Sequence, residues 1–169
     1  GWRDAHLVGH SMGVSVALAV ALKDRKRARS LTLLCGLAQG RRVLRFEPAL
    51  LWRQLCCQIG TQTMRRMAFL RLVSPRSHWK QTESAELLER IFGRRLSDLP
   101  RVAMKQVRAL RGFNRVEAFE TLRSIPSLVM SAKEDIICPP SEGRLLARAL
   151  DTPFVEIPGG HAVVAQDAA

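Results

Sequence analysis

The sequence predicts an α/β fold built on a mostly parallel sheet, with a long helical insertion between its second and third strands. Three observations carry this. The apolar run Ala5-His6-Leu7-Val8 leads through Gly9-His10-Ser11-Met12-Gly13 into Val14-Ser15-Val16-Ala17-Leu18-Ala19-Val20-Ala21-Leu22, which reads as a strand, a sharp corner and a helix. A second apolar segment, residues 30–35, follows that helix and is ended by Gly36. A strand, helix, strand order needs a crossover, and such crossovers join parallel strands. From about residue 48 to 122 the pattern turns helical throughout, and two further short apolar runs follow at 127–132 and 154–157.

Each element has its own local reason. The first helix is expected over residues 12–26, closed by the basic run Lys23-Asp24-Arg25-Lys26-Arg27-Ala28-Arg29, since cations suit the negative end of the helix dipole. Residues 37–45 then form a loop leaving the carboxyl edge of the sheet, where open α/β sheets place their ligands. In the helical stretch, Leu50-Leu51-Leu55, Met64-Met67-Ala68, Leu87-Leu88-Ile91-Phe92 and Val102-Val107-Leu110 recur at three- or four-residue spacing. Breaks fall at Gly60, Ser74-Pro75, Gly93 and Gly112. Asn114, with Glu117 three positions later, looks like a capping box opening one more helix. Pro126 introduces the buried strand 127–132, Pro140 suits the first turn of a helix over 140–150, and the strand 154–157 leads directly into Pro158-Gly159-Gly160-His161.

Composition excludes several classes. With 169 residues and 47% hydrophobic content the chain can bury a substantial core. Its longest apolar run, residues 14–22, is too short to span a bilayer and no charged-then-apolar leader is seen, so the expected compartment is the cytoplasm. Cys35, Cys56, Cys57 and Cys138 fit neither a disulfide framework nor a C-x-x-C metal site and read as reduced, mostly buried thiols. None of His6, His10, His78 and His161 belongs to an H-E-x-x-H motif on an expected helix, so no metal is expected. The net charge of +12 raises the question of an anionic partner. Yet the clusters Arg41-Arg42, Arg65-Arg66 and Arg94-Arg95 punctuate amphipathic helices, and the nine aromatic residues include no tyrosine with which to stack bases. Neither nucleic acid nor a membrane is expected as a partner, and the oligomeric state is left open by the sequence.

The corner carries the chemistry. Glycines at positions 9 and 13, two residues either side of Ser11, suit a turn so tight that a Cβ at either site would collide with the neighbouring element. Such a corner lifts the serine hydroxyl clear of the sheet at a helix N-terminus, where free N–H groups favour a developing negative charge. Leu7-Val8-Gly9-His10-Ser11-Met12-Gly13 resembles the nucleophile elbow of the α/β-hydrolase superfamily.

That resemblance implies a triad in the chain order Ser, Asp, His. Ser11, Asp135 and His161 follow it, each just after an expected strand. Asp135 competes with Glu134 and Glu156. Ala132-Lys133-Glu134-Asp135-Ile136-Ile137-Cys138-Pro139 resembles the family's small-x-x-Asp-x-x-x-Pro loop, with alanine where glycine is common, which favours Asp135. Pro158-Gly159-Gly160-His161 resembles the family's histidine loop, one residue shorter. His6 and His10 lie too near Ser11 in sequence to act as its base, and His10 reads as a pocket-wall residue.

By the resemblance, residues 1–45 and 123–169 form a partial hydrolase core, residues 46–122 form a helical cap over the serine, and the chain lacks the family's N-terminal strands. The sheet edge at residues 5–8 would then be unprotected. The implied activity is serine hydrolysis of an ester or related acyl bond in a small to medium apolar substrate, without a cofactor. The backbone N–H of Met12 would serve as one oxyanion donor, the second coming from an earlier loop. Serine at the elbow argues against the branches with an aspartate nucleophile. The alternative is a non-catalytic remnant or binding module that keeps the elbow and lacks half the sheet.

Overall fold

A computed structural model of the chain describes residues 3–43, 48–78, 82–98 and 102–165. Four strands, β1 (Ala5–His10), β2 (Ala28–Leu34), β3 (Ser127–Ala132) and β4 (Phe154–Ile157), form one sheet in the order β1-β2-β3-β4. All three pairings are parallel. Helix α1 (Met12–Lys23) crosses from β1 to β2, and α6 (Pro140–Leu150) crosses from β3 to β4. Between β2 and β3 run α2 (Pro48–Cys56), α3 (Gln62–Val73), α4 (Thr82–Phe92) and α5 (Ala103–Gly112). Sequential strands joined by helices stay adjacent, so all four strands point their carboxyl ends toward one edge.

Two apolar cores hold these parts. In the first, Val14, Leu18 and Ala21 of α1 and Leu146 and Leu150 of α6 pack with Leu31, Leu33 and Val129 of the sheet, closed by Phe119 and Leu122. In the second, Leu70 and Val73 of α3 and Ala85 and Leu88 of α4 pack with Ala162 and Ala165, which follow β4. The helical stretch is thus tied to the segment carrying His161. β1 lies at the edge of the described sheet, and its Val8 is 71% exposed.

The structure corrects three local readings. α1 stops at Lys23, not residue 26, because the Asp24 side chain accepts from the Lys26 N–H and starts a short 3-10 turn over Arg25–Arg27. A local side-chain acceptor of this kind competes with continued helix. No capping box forms at Asn114. Its Oδ1 accepts from the Arg41 N–H and its Nδ2 donates to the Arg111 carbonyl, and the following segment, Val116–Leu122, is 3-10 rather than α-helical. The third correction concerns the corner glycines.

At Gly9 a Cβ would lie 2.5 Å from the Gly13 carbonyl oxygen, so a side chain there is excluded by backbone. At Gly13 a Cβ would meet nothing within 4 Å, so the steric demand falls on Gly9 alone. Replacing Gly9 by Ala is expected to cost at least about 2 kcal/mol, as overpacking against fixed backbone does. In a chain of this size that lowers Tm by at least roughly 5 °C. Gly13→Ala, measured beside it by calorimetry, should change Tm much less.

All four cysteines are free thiols; Cys35, Cys57 and Cys138 are buried and Cys56 is half-buried. Burial pushes the Cys35 thiol up to about 12 and the Cys57 thiol up to about 11, which keeps both protonated and unreactive near neutral pH. No helix among the described residues is long and apolar enough to cross a membrane.

Candidate active site

Ser11 sits at the step from β1 to α1. Its N–H donates to the Leu34 carbonyl at 2.9 Å, so the corner is tied to the end of β2. Its backbone has φ 56° and ψ −121°, a left-handed conformation that side chains rarely adopt and that costs about 1–3 kcal/mol. The strain is held because Gly9 lets the first turn of α1 press against β1. The consequence is that the hydroxyl leaves the sheet at its carboxyl edge.

Asp135 follows β3 in a tight loop and is buried. Its Oδ1 accepts from the N–H groups of Ile137 and Cys138, both at 2.8 Å, which fixes the carboxylate before any other partner is considered. Its Oδ2 is then free to face His161, whose Nδ1 lies 2.8 Å away. Glu134 and Glu156 are engaged elsewhere: Glu134 accepts from the Arg76 N–H at 3.3 Å, and Glu156 pairs with Arg144 at 2.8 Å.

His161 is positioned by its loop. The Glu134 N–H donates to the Gly159 carbonyl at 2.9 Å, and the Ala162 N–H donates to the Val73 carbonyl at 2.8 Å. Gly160 passes so close to the end of α3 that a Cβ would lie 2.8 Å from the Val73 oxygen. Between these anchors the imidazole reaches Ser11, with Nε2 2.8 Å from Oγ. With Nδ1–H donating to the Asp135 carboxylate, Nε2 is left to accept from the serine. The structure therefore joins Ser11, His161 and Asp135 in one hydrogen-bonded line.

His10 and Met12 flank the serine. The His10 Nε2 donates to the His161 carbonyl at 2.7 Å, and the two rings lie 5.2 Å apart. Burial is the main cause holding the His10 pKa below its ordinary value, which favours the neutral ring. Met12 is the first residue of α1, and the first N–H groups of a helix have no acceptor within it. His6 turns away from the site and shares a hydrogen bond of 2.7 Å with Ser30.

A cavity of about 460 Å³ opens over Ser11. His10, Met12, Leu37, Ile137 and His161 line it from the sheet side, and α2, α3, α4 and α5 supply most of the rest, including Leu50, Phe69, Phe92 and Leu110. The sequence reading missed the contribution of Phe92 and Arg94 to this wall. Phe92 read as one member of an amphipathic stripe and Arg94 as part of a surface charge pair, and neither pattern reports what faces a pocket.

Asp135, Cys138 and His161 place three metal-ligating atoms within 4.8 Å of one another. The Asp135 oxygens are already occupied by two N–H groups and His161, so a cation would have to displace the line to Ser11.

A parallel sheet with a strained serine corner and a buried Asp-His pair along its carboxyl edge is the architecture of an α/β enzyme core. More narrowly, the chain belongs to the Alpha/beta hydrolase family, whose model matches residues 1–169. A curated protein of Azorhizobium caulinodans named "Putative carbamate hydrolase RutD" is 29% identical over 168 residues, covering 96% of this chain and 61% of that protein. A thermophilic esterase from Thermogutta terrifontis superposes with TM-score 0.67 at 25% identity, over 94% of this chain and 58% of its own. A hydrolase from Pseudomonas aeruginosa PA01 gives TM-score 0.72 at 21% identity, over 94% and 58% respectively, and shares the fold. The chain therefore spans about 60% of the length of these relatives.

Proposed function

We propose that the chain carries the catalytic line of a serine hydrolase that cleaves an ester or related acyl bond of a small to medium, largely apolar substrate through an acyl-enzyme. The observation that carries this reading is the pair of 2.8 Å contacts linking Ser11 to His161 and His161 to Asp135.

A serine hydroxyl is a weak nucleophile until a base takes its proton. His161 Nε2 lies at the distance such a transfer needs, and Asp135 holds the ring in the tautomer that can accept. As Ser11 Oγ bonds to the carbonyl carbon, its proton passes to Nε2, and the imidazolium so formed is stabilised by the Asp135 carboxylate. The negative charge moves to the carbonyl oxygen, where the Met12 N–H at the positive end of α1 is placed to receive it. The imidazolium then protonates the leaving group. A water, deprotonated in turn by His161, attacks the acyl carbon and releases the acid and Ser11. No step calls on a cofactor.

In this reading the helices of residues 46–122 form a cap on the core of residues 1–45 and 123–169. The apolar wall that α2 to α5 contribute to the cavity over Ser11 supports it. Four free thiols agree with a reducing, cytoplasmic setting. The esterase and the protein named "Putative carbamate hydrolase RutD" among the relatives support acyl chemistry and leave this chain's substrate open.

Stopped-flow hydrolysis of a p-nitrophenyl ester by the protein expressed from its complete reading frame tests the proposal. An initial burst of nitrophenol approaching one equivalent per protein is expected, as acyl-enzyme accumulation gives. Turnover that survives loss of Ser11 would contradict it.

A further inference from the structure

The cavity over Ser11 is apolar along most of its wall, and among the described lining residues only Arg94 carries a fixed charge. Arg94 follows α4 and its guanidinium is held in place. Its Nη1 donates to the Arg95 carbonyl at 3.2 Å and also to the Asp98 carbonyl. The guanidinium carbon lies 5.4 Å from the Phe69 ring centroid and 5.8 Å from that of Phe92, two rings that also line the cavity.

The acids beside it are committed elsewhere. Glu89 receives both Nε and Nη2 of Arg66, at 3.0 and 3.2 Å, and also the Leu96 N–H. Asp98 accepts from the Ser97 hydroxyl at 3.1 Å. Among the described residues no carboxylate pairs with Arg94. Its Nη1 is occupied by carbonyls, while the edge formed by Nε and Nη2, which matches the two oxygens of a carboxylate, has no acceptor among the described residues. A cation on an apolar wall attracts an anion more strongly than one in bulk water.

We propose that Arg94 is a carboxylate-binding subsite and that the substrate is an acyl compound carrying a free carboxylate beyond an apolar spacer. The proposal rests on the hydrolase reading for the identity of the site, and adds to it the class of substrate. The apolar lining takes the spacer, Ser11 meets the scissile carbonyl, and Arg94 receives the remote anion. Gln54 and Gln106, which also line the cavity, offer further neutral hydrogen bonds.

Two matched pairs of esters locate the anion. Mono-p-nitrophenyl adipate against p-nitrophenyl hexanoate places it on the acyl side, and 4-carboxyphenyl hexanoate against phenyl hexanoate places it on the leaving group. In one pair, kcat/KM is expected to favour the carboxylate ester at least tenfold, equivalent to about 1.4 kcal/mol. That preference should fall at least tenfold in Arg94→Gln, mainly through KM, and be partly retained in Arg94→Lys. A preference absent from both pairs, or unchanged in Arg94→Gln, overturns the subsite while leaving the serine reading intact.

If no ester is turned over, the serine reading fails, and binding still reads the subsite. Monomethyl adipate should then bind Ser11→Ala protein at least tenfold more tightly than methyl hexanoate, with the difference lost on adding Arg94→Gln. Equal affinities overturn it.

Discussion

Ser11→Ala should lower kcat for any ester substrate by about a millionfold, the scale on which removing the nucleophile of a serine, histidine, aspartate set acts. The substitution removes the atom that the proposed mechanism assigns to the acyl bond, while the fold is expected to lose little. The Ser11 N–H still bonds to the Leu34 carbonyl, and the methyl group of alanine fits the space of the hydroxymethyl. His161→Ala should cost a similar factor, and the double variant no more than either alone, because the two groups act as one unit. Steady-state rates, with Tm measured in parallel to separate lost chemistry from lost fold, decide this. Independent, additive losses would show that Ser11 and His161 do not share a step.

Asp135→Asn should lower kcat by about ten-thousandfold with little change in KM. The reason lies in how the carboxylate is held. Oδ1 accepts from the Ile137 and Cys138 N–H groups, and an asparagine in the same pose keeps its carbonyl oxygen there. Its NH₂ group must then face His161 Nδ1. A donor at that place selects the tautomer with the proton on Nε2, which points a hydrogen at Ser11 and can no longer accept one. NMR of the imidazole nitrogens reports the tautomer directly. Retention of the Nδ1–H form in Asp135→Asn, with activity near the wild type, would contradict the role given to Asp135.

The parts of the fold and site that were legible from the sequence are those fixed by local sterics. Gly9 and Ser11 form a corner whose geometry follows from a backbone approach within five residues, and the strand and helix around it have unambiguous apolar runs. The Asp135 and His161 loops were legible because each begins where a strand ends and both strands align at one edge of a parallel sheet. What was not legible depends on partners distant in sequence. Asn114 looked like a cap because Glu117 follows it, yet its side chain answers to Arg41 across the fold. Gly13 matches the motif, but the space around it is open.

Glu142 is buried completely and pairs with Arg42 at 2.9 Å, an ion pair joining α6 to the loop after β2 that no local pattern announces. Phe92 and Arg94 show the same limit at the site itself. A helical period tells which residues share a face, not whether that face meets a core or a cavity. The cavity wall is composed by folding four helices over the carboxyl edge of the sheet, and only the tertiary arrangement decides which side chains reach it.

The most direct test of the central claim is covalent. The protein from its complete reading frame, and separately Ser11→Ala, should be treated with a fluorophosphonate probe and read by intact mass and peptide mapping. The account predicts one adduct per molecule, located on Ser11, absent from Ser11→Ala and strongly slowed in His161→Ala, since the attacking oxygen needs its base. A folded protein that takes no probe, or takes it equally in Ser11→Ala, would contradict the assignment of Ser11 as an activated nucleophile.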